Sequence, residues 1–396
     1  MVCIVRSLLL QVVTGMAKNE VSIVKVKTGF VEEGVRRAID LVGGIKTVVK
    51  KRDRVFIKPN AVVPLPSSTG VVTDPDVIKA IVRIVIEAGA ERVFVGDSPF
   101  LQYKSREVLT KTGFVEAARD AGAVIAYLDE EPYEEVEAPN ARIMKKIQLP
   151  RSFLDCNVFI TVPKMKTHNQ TGVSLSIKNQ HGLLRAEDKR IMHRDDIHQK
   201  IVDITSLAKP ALIVVDGTIG LEGQGPTYGS PVEMNLMLAG TNVVSTDAVA
   251  SFLMGFEPES ITSLRLAQIQ GLGTLDLCQI NVKGENPNNV RLAFRKPSTE
   301  VVGVFPHVNV YVGGPCQSGC YAWTRVGLDG MKKHGVLDRV KEDINIIMGV
   351  SPTVPETLHG RTFVIGDCAA KHKDKGIFIP GCPPFDTWRI RSYFPE

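Results

Sequence analysis

Short apolar runs alternate along this chain with stretches in which apolar residues recur every three or four positions. Residues 21–26 form the first run. Residues 32–42 follow with Val35, Ala38, Ile39 and Val42 on one helical face, and Gly43-Gly44 ends the pattern. The couplet then repeats. A strand is predicted at 55–57, and a helix over 76–87 opens at Thr73-Asp74-Pro75, a cap residue followed by proline in the first turn. A strand at 92–95, a helix near 115–121 and a strand at 123–127 come next, and 155–162, 197–208, 212–215 and 247–254 continue the rhythm. Strands separated by helices at this spacing imply right-handed crossovers. The expected fold is α/β: an open, mainly parallel, Rossmann-like sheet with helices on both faces, plus a smaller α/β domain at the C-terminus. Residues 128–150, acidic then basic and containing prolines, read as a hairpin or surface excursion.

The rhythm fades at 283–300. The boundaries this suggests are an extension outside the fold at 1–15, an α/β domain at 16–285, a linker at 286–300 and a small α/β domain at 301–396, with strands near 308–312, 344–348 and 361–365. Residues 1–15 have a short apolar core but neither the basic start nor the small-x-small site of a signal peptide. A length of 396 residues supports two or three full cores.

Charge narrows the function classes. The formal net charge is only +5, and the basic clusters, Lys50-Lys51-Arg52 and residues 371–375, are short. They read as solvated faces, so no nucleic-acid partner is expected. There is no apolar run long enough for a membrane span, and the protein is expected to be cytoplasmic.

The seven cysteines divide unevenly. Cys3, Cys156 and Cys278 stand among apolar residues and are expected in cores. Cys316, Cys320, Cys368 and Cys382 lie in GGPCQSGC, GDCAA and IPGCPP, where glycine and proline leave backbone amides free to face sulfur. Four loop thiols in an intracellular protein point to metal, either a 4Fe-4S cluster or, as the alternative, zinc. The wide, unpaired spacing favours the cluster over the paired knuckles of zinc sites.

A second focus is the stretch TVPKMKTHNQTGVSLSIKNQHG at 161–182, which follows a buried-strand run. It carries Lys164, Lys166 and Lys178 together with His168 and His181. Lys58 and Asn60, held extended around Pro59, and Asp97 in GDSP also fall at carboxyl ends of predicted strands, where open α/β sheets place ligands. Clustered ammonium groups bind carboxylate or phosphate and lower one another's pKa, which frees one as base or nucleophile. Lys178, His168 and His181 are therefore the expected catalytic groups; Lys58, Asn60, Asp97, Lys164, Lys166 and Asn179 are expected to bind substrate. Asp216 is a candidate to orient a lysine or histidine. His193 and His198, in a charged segment, are expected at the surface, and GLEGQGP at 220–226 reads as a mobile or anion-cradling loop. No dinucleotide or nucleotide-phosphate motif occurs at the strand ends.

FIKPN at 56–60, TDP at 73–75, EAGA with VGDSP across 87–99, VPKMKTH at 162–168 and SIKNQHG at 176–182 together resemble the family called domain of unknown function 362, over about residues 20–285. The resemblance implies an α/β fold often joined to iron–sulfur domains. More distantly, the shape is similar to nickel-pincer lactate racemases. The cysteine loops resemble those that bind one 4Fe-4S cluster in hydrogenase small subunits and a related complex I subunit. They depart from that pattern in having three residues between Cys316 and Cys320. The leading expectation is an iron–sulfur oxidoreductase or cluster-dependent enzyme acting on a small anionic molecule or organic cofactor. The alternatives are an isomerase, lyase or racemase-like enzyme with a structural cluster, and an electron carrier or cluster scaffold. A redox partner protein and an oligomer are compatible with each.

Overall fold

The computed structural model describes residues 19–394. The expected extension at 1–15, with Cys3, lies outside the described residues. Twelve strands build the first part of the chain: β1 (Glu20–Lys25), β2 (Arg54–Pro59), β3 (Arg92–Gly96), β4 (Val124–Ala126), β5 (Tyr133–Glu137), β6 (Lys146–Pro150), β7 (Val158–Val162), β8 (Lys164–His168), β9 (Gly172–Ser174), β10 (Leu212–Glu222), β11 (Ser230–Gly240) and β12 (Asn281–Gly284). Ten of them form one sheet in the order β12-β1-β11-β10-β7-β2-β3-β4, with β8 on β10 and β9 on β8; β5 and β6 are a separate antiparallel hairpin over the segment read as one. The run from β10 to β4 is parallel throughout, and β11 is antiparallel to both its neighbours.

Helices cover both faces, so the central strands are buried on both sides and read as continuous apolar runs. VFITV in β7 is buried at every position, and so are the five residues from Val55 to Pro59 in β2. Two apolar clusters sandwich the sheet. One includes Phe56, Phe159, Ile213 and Leu238; the other includes Ile57, Ile160, Val214 and Ile81 of the helix Pro75–Glu87. That helix starts as the sequence implies, with the Asp74 side chain accepting from Asp76 N and Pro75 in the first turn.

The last part of the chain forms a second sheet of β13 (Val308–Gly313), β14 (Ile344–Gly349), β15 (Arg361–Ile365) and β16 (Ile377–Ile379), all parallel and in chain order. Its core of Ile344, Ile346, Met348, Phe363 and Ile365 is its own. Because every strand points the same way, the loops that follow them emerge at one edge.

The stretch 286–300 packs on the first unit: Phe294 is buried in the core of the first sheet and Arg295 pairs with Glu222 at 2.6 Å. Of the GLEGQGP segment, residues 220–222 belong to β10 rather than to a loop, and a Cβ on Gly225 would overlap the Thr167 carbonyl. Cys278 is exposed and so is no core thiol, whereas half-buried Cys156 packs against the core of the first sheet. Among the described residues, no helix is long and apolar enough to cross a membrane.

Candidate functional site

The loops that leave the carboxyl ends of β2, β3 and β8 meet the C-terminal unit around a cavity of about 400 Å³, a size suited to a small organic ligand. Its floor is a hydrogen-bonded polar network. Lys58 at the end of β2 pairs with Asp97, just past β3, at 2.7 Å, and both side chains are almost wholly buried. The Lys58 ammonium also donates to Asn179 Oδ1 at 3.2 Å, and Asn60 Nδ2 donates to the same oxygen at 3.3 Å. Lys166 in turn donates to Asn60 Oδ1 at 2.7 Å and to the Val71 carbonyl at 2.8 Å. Asn179 Nδ2 closes the network on Thr161 Oγ1 at 3.0 Å. These residues, separate in sequence, hold one another in place.

Lys178 sits on the single helical turn Ser176–Asn179 and lines the cavity. The turn is fixed from beneath by Asp247, whose carboxylate accepts from the amides of Ser176 and Ile177, each at 2.9 Å. Burial pushes the Lys178 ammonium down to about 7, with Lys58 adding to it. Lys166 is pushed down to about 7 by burial and then by Lys178. His168 and His181, also in the wall, are held well below the usual histidine range by burial and by Lys178. Both are neutral at pH 7. His168 Nδ1 accepts from Gln170 N at 3.2 Å, which leaves the ring proton on Nε2. His181 Nε2 is buried without a partner.

Gly182 lets the network close. A Cβ there would overlap Asp97 Oδ1 and lie 2.5 Å from Lys58 Nζ. Gly182→Ala is therefore expected to destabilise the protein by roughly 1–3 kcal/mol and to weaken anion binding. Urea unfolding and calorimetry with a small carboxylate check both effects.

Two assignments from sequence change. Lys164 does not line the cavity. Its ammonium lies deeper, paired with Asp216 at 2.8 Å with both side chains fully buried, and is a structural group rather than a ligand for substrate. His193 is no surface residue: it is buried, and its Nδ1 donates to the Lys189 carbonyl at 2.8 Å. Its ring meets His181 edge-on with centroids 4.8 Å apart. His198 is held low by burial. Lys189, which the sequence reading missed, is buried in the wall and donates to Ser98 O, Ser98 Oγ and Pro99 O at 2.6–2.8 Å. It fixes the loop after Asp97.

The opposite wall is aromatic and comes mostly from the second unit, with Phe100 from the first. Trp323 packs on Phe385 with centroids at 4.4 Å and stacks on Phe100 at 5.7 Å. Lys333 and Arg391 add positive charge at the rim, and among the described residues of the lining Asp97 is the one carboxylate. Since Asp97 is paired with Lys58, the cavity keeps a net positive field.

The four cysteines follow from the parallel second sheet. Cys316 comes after β13, Cys368 after β15 and Cys382 after β16, while Cys320 begins the approach to the helix Ala322–Lys333, so all four loops share one edge. Cys320 is buried, its thiol pushed up to about 12 by burial and then by Cys316, Cys368 and Cys382. The other three are exposed. As their side chains lie, no three His, Cys, Asp or Glu among the described residues stand close enough to hold a metal ion. The backbone nonetheless leaves room beside sulfur: a Cβ at Gly366 would come within 2.9 Å of Cys320 Sγ, and one at Gly319 would overlap Cys316 Sγ. Four thiols thus stand on one edge, with glycine backbone against two of them.

Residues 55–252, half of the chain, match the family described as Domain of unknown function (DUF362). The chain belongs to this family. The matched stretch holds Lys58, Asn60, Asp97, Lys166, His168, Lys178, His181, Lys189 and His193, so the inner cations of the cavity belong to the DUF362 region, while Lys333 and Arg391 at the rim do not. Trp323 and Phe385 lie outside it. A thylakoid-associated protein of Synechocystis sp. is 26% identical over 252 residues, covering 62% of this chain and 77% of that protein. Among solved structures, the lactate racemase apoprotein of Thermoanaerobacterium thermosaccharolyticum aligns at 12% identity with a TM-score of 0.40. The alignment covers 59% of this chain and spans little more than half, 56%, of the racemase.

Proposed function

We propose that this DUF362 protein is an enzyme that holds a small organic anion in the cavity between its two sheets and acts on it beside an iron–sulfur centre. The supporting observation is the shared wall. Lysines 166 and 178 line one side, and on the other stand Trp323, three residues past Cys320, and Phe385, three residues past Cys382. Whatever binds the lysines therefore lies against segments that carry two of the cysteines. Cys316, Cys320, Cys368 and Cys382 would hold a 4Fe-4S cluster, which when bound supplies one-electron transfer. The protein's own residues bind the anion through Lys166 and Lys178, exclude water with the aromatic wall, and move protons through neutral His168 and His181. An enclosed cavity of this kind favours an enzyme over an electron carrier. Free thiols at all six described cysteines suit a reducing cytoplasmic setting. Electrons would come from a redox partner protein meeting the exposed cysteine edge.

Metal analysis of anaerobically purified protein, with absorption and EPR spectra before and after dithionite, tests this reading. About four irons and four sulfides per chain and a reducible broad band are expected, with loss of both in Cys368→Ser and Cys382→Ser. Zinc without visible absorption would make the centre structural. Unchanged metal content in both variants would remove these cysteines as ligands.

One observation favours a second reading, an isomerase or lyase with no net redox change. The site pairs a lysine poised near neutrality with two uncharged histidines, which is proton-shuttle equipment whether or not electrons move. Exchange of substrate hydrogen with deuterated solvent, with the spectrum of the centre unchanged, would select it.

A further inference from the structure

Six lysines stand in or beneath the cavity: Lys333 at the exposed rim and five further in, of which four are engaged. Lys58 is held by Asp97, Lys164 by Asp216, Lys166 by Asn60 and the Val71 carbonyl, and Lys189 by Ser98 and Pro99. The Lys178 ammonium has no hydrogen-bond or ion-pair partner among the described residues, and it lines the cavity. We propose that Lys178 is a nucleophile that captures a carbonyl acid, an α-keto or α-aldehyde carboxylate, as an imine. The inference rests on the anion-binding reading of the same cavity and narrows its ligand class.

The arrangement separates two jobs that one lysine cannot do together. A lysine tied to oxygen acceptors is fixed in place by them, and its nitrogen is not free to approach a carbonyl carbon. Lys166 is such a group, and Lys333 and Arg391 add charge at the rim. A lysine without acceptors, desolvated and beside other cations, gives up its proton most easily and is the one whose nitrogen lone pair is free to react. Lys178 meets them by position: it stands half-buried in the cavity wall with no acceptor, and burial and then Lys58 push its ammonium down to about 7. The carboxylate of the substrate lies against the tied cations, and its carbonyl carbon then falls beside the untied amine.

The chemistry closes without a further reagent. The Lys178 nitrogen adds to the carbonyl carbon: a C–N bond forms, the carbonyl π bond breaks and the oxygen takes a proton to give a carbinolamine. The nitrogen loses its second proton as the C–O bond breaks, and the oxygen leaves as water, so amine and carbonyl become imine and water. Each proton needs an acceptor and a donor beside the nitrogen. His168 and His181 line the same cavity, and Lys178 is the charge that bears most on both. His181 Nε2 is buried with no other partner. Trp323 Nε1 is a second buried, unpartnered polar atom of the lining, a donor available to an oxygen of the ligand. The Trp323–Phe385–Phe100 wall gives an apolar substituent of the acid its place.

The test is reductive trapping on the purified full chain. Glyoxylate, pyruvate and phenylpyruvate are each incubated with the protein and cyanoborohydride at pH 7.5, followed by intact mass measurement and peptide mapping; binding of the same acids is measured by calorimetry without reductant. The expected result, for at least one acid, is about one adduct per chain, confined to the peptide containing Lys178. Lys178→Arg, which keeps a cation, is expected to bind the acid and give no adduct there. Adducts spread over surface lysines such as Lys104, or none at all while the acid binds, overturn the imine and leave the anion site standing. No binding of any acid removes the anion-binding reading as well. The mapping on unaltered protein decides the matter even where the variant folds poorly.

Discussion

Lys164→Met is expected to lower the free energy of unfolding by about 3–5 kcal/mol, the usual consequence of stripping one partner from a buried ion pair. The remaining Asp216 carboxylate is fully buried. Burial alone would raise its pKa, but Lys164 at 2.8 Å and the donors Thr218 and Asp74 N outweigh this and hold it below the ordinary range. Without Lys164 the charge is stranded, and the site then protonates at a higher pH or opens. Replacing both partners, in Lys164→Met with Asp216→Asn, should recover much of the loss, because no charge is left buried. Anion affinity in the folded single variant should change little, since Lys164 does not line the cavity. Urea unfolding and calorimetry measure the two effects separately. A variant of normal stability with binding weakened more than about tenfold, roughly 1.4 kcal/mol, would return Lys164 to the ligand site.

The ligand-free protein should become more stable as pH rises from about 7 to 9. Lys166, Lys178 and Lys189 are each pushed down to about 7, chiefly by burial. In the unfolded chain their pKa is about 10.4. Between these values the unfolded state binds more protons than the folded one, and stability then rises with pH. Below pH 7 both states are protonated and the folded state carries the full cost of buried like charges. Each lysine contributes a slope of at most about 1.4 kcal/mol per pH unit. A bound carboxylate restores the charged form, so binding at pH 8 should draw protons from buffer, and saturating anion should flatten the rise. Unfolding curves at pH 7, 8 and 9, with and without ligand, and calorimetry in buffers of different ionisation heat check this. Lys178→Met should remove part of the slope. Stability that falls over this window would mean that the lysines are charged and paired in the folded protein.

What could be read from the residues follows a physical division. Lys58, Asp97 and Lys166 were legible because strands show as apolar runs, and ligands gather where parallel strands end. The order of strands and helices was legible for the same reason. Depth was not. Lys164, Lys166 and His168 alternate on one face of β8, and nothing in that alternation tells that the first meets Asp216 while the others reach the cavity. The segment RAEDKRIMHRDDIHQ is as polar as any surface helix, yet Lys189 and His193 are buried. What buries His193 is Trp323 and Phe385, over a hundred residues further on, a fact of packing with no local trace. The signal that did exist for Lys189 was its place in a helix following the lysine loop, with apolar Ile191 and Met192 beside it.

The seam between the two sheets has a consequence for how such proteins diversify. One half of the binding chamber, with every engaged lysine and the untied one, lies within residues 55–252; the lid of tryptophan and phenylalanine is written in a separate stretch of chain. The inner cations and most of the aromatic wall thus come from separate stretches of chain. Exchanging the C-terminal unit would re-tailor which acids fit and replace the rim charges of Lys333 and Arg391, while the inner lysines stay. The first unit alone would present the same cations on an open shelf, attractive to many anions and selective for none.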